Sequence, residues 1–147
     1  MPLKSSTGLR NQMLDTAPLR TILNLGVVNV YSGTTPATAD DALGGAVLLY
    51  TLSNASTVTG LTFEPTASAS VLAKKSTETW SGLNIAGGVA SFYRHVAPGD
   101  TGVASTTQPR IQGSCGVAGA DMNMTSTTMI LGATTTQNFY TINLPTL

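Results

Sequence analysis

Beyond residue 26 the apolar side chains fall in short runs and in alternation, and no helix of ten or more residues can be placed there. Residues 27–31 predict a strand closed by Ser32-Gly33 and the Pro36 turn, and residues 46–52 a second, more apolar and therefore central strand. Shorter strands are predicted at 58–63 and 70–74, with Pro65 disfavoured from any interior ladder, and 78–80 begins another strand or bend before Gly82. The clearest alternation lies at 89–96, where Val89, Ser91, Tyr93 and His95 oppose Ala90, Phe92, Arg94 and Val96. Neither set is purely polar, so this strand is expected to be covered on both faces. Further strands are predicted at 109–117, 127–131 and 135–144, with polar loops at 34–45 and 98–106.

Only the N-terminus carries a helical pattern. Ser6 or Thr7 is positioned to cap a turn in which Leu9 and Met13 share one side, with Leu14 nearby. Pro18 interrupts it, and Leu19, Ile22 and Leu23 supply a second apolar turn that stops at Gly26. The pattern divides the chain into a helical arm or cap, residues 1–25, and a β-domain, residues 26–147. The expected fold is all-β, an antiparallel β-sandwich of jelly-roll or Greek-key type with a short N-terminal helical arm. Whether that segment caps the sandwich in cis or reaches a neighbour in trans stays open at this level.

Composition adds a surface to this outline. The 147 residues include 24 threonines and 13 serines but only seven basic and seven acidic side chains, for a net charge of zero. Threonine suits either face of a strand, being β-branched and soluble without a formal charge. Such a surface is suited to lying against other protein. It provides no general field for nucleic acid or an anionic membrane. The opening 20 residues lack the apolar core of a signal peptide, and no run approaches the roughly 20 apolar residues of a membrane span. Synthesis in the cell interior is therefore expected.

Candidate chemistry is sparse. His95 and Cys115 are the sole imidazole and thiol. A nucleophile pair oriented by Asp100 or Asp121 can be written down, but no local motif supports it, and both residues read more naturally as structural. The other acidic candidates, Asp40, Asp41, Glu64 and Glu78, are scattered. Asp40-Asp41 or Asp121 with Asn123 would supply oxygen ligands to calcium only as a fragment of a binding loop. Gly44-Gly45 and Gly87-Gly88 lack the nucleotide-loop context, and Lys74-Lys75 is too small a basic patch for a nucleic-acid groove. No catalytic residue, metal or cofactor is expected.

Three sets of residues carry a resemblance. They are the opening Ser6-Thr7-Gly8-Leu9-Arg10-Asn11-Gln12-Met13-Leu14, then Val30-Tyr31-Ser32-Gly33-Thr34-Thr35-Pro36 with Ala39-Asp40-Asp41-Ala42, and the late Gly113-Ser114-Cys115-Gly116-Val117, Ala118-Gly119-Ala120-Asp121-Met122-Asn123-Met124 and Gly132-Ala133-Thr134 stretches. In this order they resemble small proteins encoded among the virion genes of tailed bacteriophages. The resemblance implies a non-enzymatic virion protein, a capsid decoration or cement protein that bridges major capsid subunits on the outer capsid surface after synthesis in the bacterial cytoplasm. Its implied partners are the major capsid protein and further copies of itself, with a trimer as the first expected symmetry, and neither nucleic acid nor membrane. Leu9, Met13 and Leu14 are the candidate assembly contacts of the arm, and Tyr31, Trp80, Phe92 and Tyr93 are candidate core or interface anchors. Two alternatives share the composition. One is a tail, neck or baseplate component; the other is a receptor- or glycan-binding module using Trp80, Tyr93 and the loop 98–108.

Overall fold

A computed structural model describes residues 3–143. Its elements run in the order β1 (Lys4–Ser5), α1 (Thr7–Asp15), α2 (Leu19–Leu23), β2 (Val27–Ser32), β3 (Val47–Asn54), β4 (Val71–Ala73), β5 (Trp80–Leu83) and β6 (Gly88–Val89). They continue with β7 (Phe92–Val96), β8 (Arg110–Gly116), β9 (Met122–Asn123), β10 (Thr128–Met129), β11 (Thr134–Gln137) and β12 (Thr141–Asn143). Seven strands form the path β1-β8-β7-β2-β3-β5-β11, every pair antiparallel, and β9 joins β8 in parallel as the eighth strand of the sheet. Two antiparallel ribbons, β6 with β10 and β4 with β12, complete the structure. The architecture is thus a mixed, mainly antiparallel β structure with short helices. The described pairings neither close a barrel nor make the paired sheets of a jelly roll.

Alternation assigns the two faces of the principal sheet. Val28 pairs with Leu52 and His95, Val30 with Tyr50 and Tyr93, and His95 in turn with Ile111, so these side chains share one face. All six apolar members of that group are buried in a single core with Leu72 and Ile142 of one ribbon and Met129 of the other. Trp80 stands at the centre, with Tyr140 at 5.1 Å, Phe63 at 5.9 Å and His95 at 6.2 Å between ring centroids. The opposite face carries Arg94, Gln112 and the stacked pair Tyr31 and Phe92, 5.1 Å apart. All five residues of β7 are buried, so both faces are covered.

The N-terminal segment is built into this sheet in cis. Ser6 is the helix cap: its hydroxyl accepts from the Leu9 amide at 3.1 Å and from the Arg110 amide at 2.9 Å, and donates to the Gln108 carbonyl at 2.8 Å. One buried hydroxyl therefore satisfies a helix terminus and a strand end together. Leu9 and Leu23 enter the common core, and Pro18 occupies the position before α2. The chain then enters the sheet through a close crossing. A Cβ on Gly60 would stand 2.0 Å from the Leu25 carbonyl oxygen, and one on Gly26 2.1 Å from that of Val96. Only glycine permits both approaches.

Five predicted strands differ from those observed: the one begun at 78–80 starts only at Trp80 and runs to Leu83, the 127–131 strand shortens to Thr128–Met129, and three others are broken. The 58–63 segment makes only isolated bridges, at Thr59, Leu61 and Phe63. The 89–96 strand is broken at Ala90 and Ser91, whose amides turn to Thr127 and Tyr31. The 135–144 strand, whose last residue lies outside the described residues, splits into β11 and β12 as the chain passes from the main sheet to a ribbon, with Gln137 Nε2 donating to the Phe139 carbonyl across the break.

Candidate functional site

The sole imidazole and the sole thiol are both disarmed by position. His95 is fully buried in β7 with its Nδ1 3.1 Å from Tyr140 Oη and its ring stacked on Phe63 at 5.4 Å. Burial pushes its pKa down to about 3, so the imidazole is neutral. Cys115 is pushed up to about 12 by burial, with the Asp121 carboxylate adding to the effect. His95 is paired with Ile111, and Cys115 lies four residues further along the same strand, roughly 13 Å away at the rise of an extended chain. They do not form a nucleophile and base pair.

The acidic residues serve loops. Asp40 accepts from the Thr7 amide and hydroxyl at 2.9 and 2.6 Å, fixing the 34–45 loop to the start of α1. Asp41 accepts from the Thr38 amide and hydroxyl, which holds its carboxyl below the usual range. Glu64 is lowered in the same way by Ser76. Glu78 accepts from Thr62 and from the Trp80 indole N–H at 2.9 Å. Asp121 accepts from the Ser114 amide and hydroxyl, while Asn123 Oδ1 accepts from the Ala120 amide. Among the described residues no three His, Cys, Asp or Glu side chains gather into a metal site. Lys74 is equally committed: its ammonium lies 5.6 Å over the Trp80 ring and donates to the Glu78 carbonyl.

A buried polar layer escaped the sequence reading. Arg94 and Arg110 are both almost completely inaccessible, on the sheet face covered by the 34–43 segment. Arg94 donates to Gln112 Oε1 at 2.8 Å and to the Asp41 and Thr38 carbonyls, and Gln112 Nε2 donates to the Pro36 carbonyl. Arg110 binds Asp100 through Nε at 2.6 Å and also donates to the Val103 and Ala39 carbonyls. The layer therefore fastens the loops 34–43 and 98–108 onto the sheet. Its signal was present as Arg94, Arg110 and Gln112 at alternate positions within apolar strands, but nothing in the sequence said which loop would cover them.

The candidate assembly contacts separate by exposure. Leu9, Tyr31, Trp80, Phe92 and Tyr93 are buried within the chain and present no side-chain surface to a partner. Met13 is at the margin of exposure and Leu14 is 84% exposed. An aromatic pocket of Trp80 and Tyr93 is not formed at the surface, since both lie in the core. The surface instead presents apolar residues that the sequence reading did not single out, among them Ile85, Ile130, Leu131 and Phe139. Ile130-Leu131 immediately before Gly132 was the available signal: an apolar pair at a turn has no interior of its own to enter.

No helix among the described residues is long and apolar enough to cross a membrane. Comparison with known protein families, curated proteins and solved structures finds no match to this chain.

Proposed function

We propose that the protein is a non-enzymatic structural component of a phage particle, a cement or decoration protein that stabilises the capsid by bridging major capsid subunits. The observation that carries the reading is the surface. Thirteen large apolar side chains are exposed among the described residues of a chain with only seven basic and seven acidic ones. Exposed apolar area on a charge-poor scaffold is stabilised by association, through burial at about 25 cal/mol per Å². In the same reading the principal sheet and its two ribbons are the layers of a β-sandwich, held stiff by the buried arginine layer so that the exposed residues meet their partners preformed. The working contacts are then Leu14 and the exposed turns, with the buried aromatics acting as the frame.

A reconstruction of the phage particle together with protein quantification tests this. The expected result is density for the chain on the outer shell, in contact with major capsid subunits and at a copy number that follows the shell symmetry. A handful of copies at the neck or baseplate would replace the cement reading with the tail alternative, and absence from the particle would overturn both.

A further inference from the structure

The two edges of the principal sheet are finished differently. At one edge β8 is covered by β1 over Ile111 and Gln112 and by β9 over Cys115 and Gly116, two short strands running in opposite senses. That edge is broken and carries Lys4, both standard protections against further pairing. At the other edge, among the described residues, β11 pairs with β5 alone. An antiparallel ladder engages alternate residues of an edge strand, so half of the β11 amides and carbonyls face outward. The strand is short and residues 123–129 share two grooves with it, but among the described residues its outward backbone groups have no partner and it carries neither charge nor proline. The strand reads Thr134-Thr135-Thr136-Gln137, without charge or proline, and residues 122–147 contain no charged side chain.

Apolar residues flank this edge at both ends. Ile130 and Leu131 stand in a turn that Asn84 holds rigidly, by its amide to the Ala133 carbonyl at 2.8 Å, its carbonyl to the Gly132 amide at 2.9 Å and its Nδ2 to the Ile130 carbonyl at 3.0 Å. Phe139 and Val117 line the groove at the far end. Leu131 and Phe139 are each four residues from Thr135, and each has about two-thirds of its surface exposed.

We propose that the β11 edge is a homodimer interface, in which two copies pair antiparallel about a two-fold axis near Thr135. Of the two edges of the principal sheet, β11 is the uncharged and uninterrupted one, and identical strands meeting there edge to edge form the self-complementary contact of a two-fold. In that arrangement the Leu131 end of one copy meets the Phe139 end of the other. The neutrality of the segment means that no like charges face each other across the axis. Val117, Ile130, Leu131 and Phe139, each about two-thirds exposed, supply the apolar part of the roughly 800 Å² per partner that a standard interface buries.

This inference does not rest on the virion reading, because the isolated chain tests it. Sedimentation of the full chain up to about 100 μM, well above the micromolar range where a contact of about −8 kcal/mol saturates, should give a dimer. Thr136→Lys places a charge on the open edge, and Phe139→Asp removes the flanking contact from an exposed position. Each should weaken the dimer at least tenfold with the melting transition of the monomer unchanged, while Leu14→Asp, remote in sequence from the edge, should leave it intact. A chain monomeric throughout that range, or an oligomer that neither Thr136→Lys nor Phe139→Asp weakens, would overturn the proposal. A dimer without particle binding would leave it standing and remove only the cement reading.

Discussion

Asp100→Asn removes a charge and almost no volume from the pair with Arg110. Arg110 Nε lies 2.6 Å from one carboxylate oxygen and Nη2 3.2 Å from the other, with side-chain exposures of 0% and 5%. The other acceptors around the guanidinium, the Ala39 and Val103 carbonyls and the Gln108 side-chain oxygen, are all neutral. Neutralising one member of a buried pair leaves the other uncompensated in a medium that solvates it poorly, at a cost of about 3–5 kcal/mol. A solvent-exposed pair would lose only about 0–1 kcal/mol. Against a total stability of about 5–15 kcal/mol the change is large, and it corresponds to a fall in melting temperature of roughly 10–15 °C for a chain of this length. Urea unfolding followed through Trp80, the single tryptophan and fully buried, measures it directly. Adding Arg110→Met should recover part of the loss, because the orphaned charge is then gone. A loss below about 1 kcal/mol for Asp100→Asn would show that water reaches the pair and that the layer is not the clamp described.

His95 gives the chain an acid-sensitive core. Its folded pKa of about 3 lies below the ordinary 6.5, so it takes up its proton only on unfolding. Its contribution to stability is therefore complete above about pH 6.5 and declines as pH falls towards 3, by up to about 1.4 kcal/mol per unit. His95→Phe should flatten that dependence between pH 7 and 4.5 in chemical denaturation, and equal slopes in the two proteins would contradict it. Ser6→Ala, which strips the cap of α1 and the partner of the Arg110 amide at once, should cost about 2–3 kcal/mol; a loss of a few tenths would mean that water replaces the hydroxyl. Cys115, with its thiol pushed up to about 12, should resist thiol reagents at neutral pH in the folded protein and react on unfolding, so labelling of the native chain at the rate of a free thiol would refute its assignment.

Much of the framework was legible because it depends on local pattern. Strands β2, β3 and β8 lie within two residues of the predicted segments, and the N-terminal helices fall where Ser6, the apolar spacing and Pro18 place them. The alternation of Tyr140 and Ile142 against Phe139, Thr141 and Asn143 survives as buried against less buried residues, even though the strand containing them is cut. The two-residue strands β1 and β9 were not legible, since each exists only through pairing with β8, over 100 residues away in the case of β1. Isolated bridges took the place of a strand at 58–63 because Gly60 is occupied in a close crossing with Leu25.

The sequence by itself determined a chain of short strands with a helical beginning, a hydroxylated and nearly uncharged composition, and too few reactive side chains for familiar catalytic constellations. A period of two assigns residues to opposite faces of a strand, but it carries no statement of what covers either face. Only the tertiary structure decided that. It buried Arg94 and Arg110 beneath loops, drew Leu9 and Trp80 inward, and left Ile130, Leu131 and Phe139 outside beside an open strand edge. Burial is set by what the rest of the chain brings to a surface, and for these residues the deciding neighbours came from distant parts of the sequence.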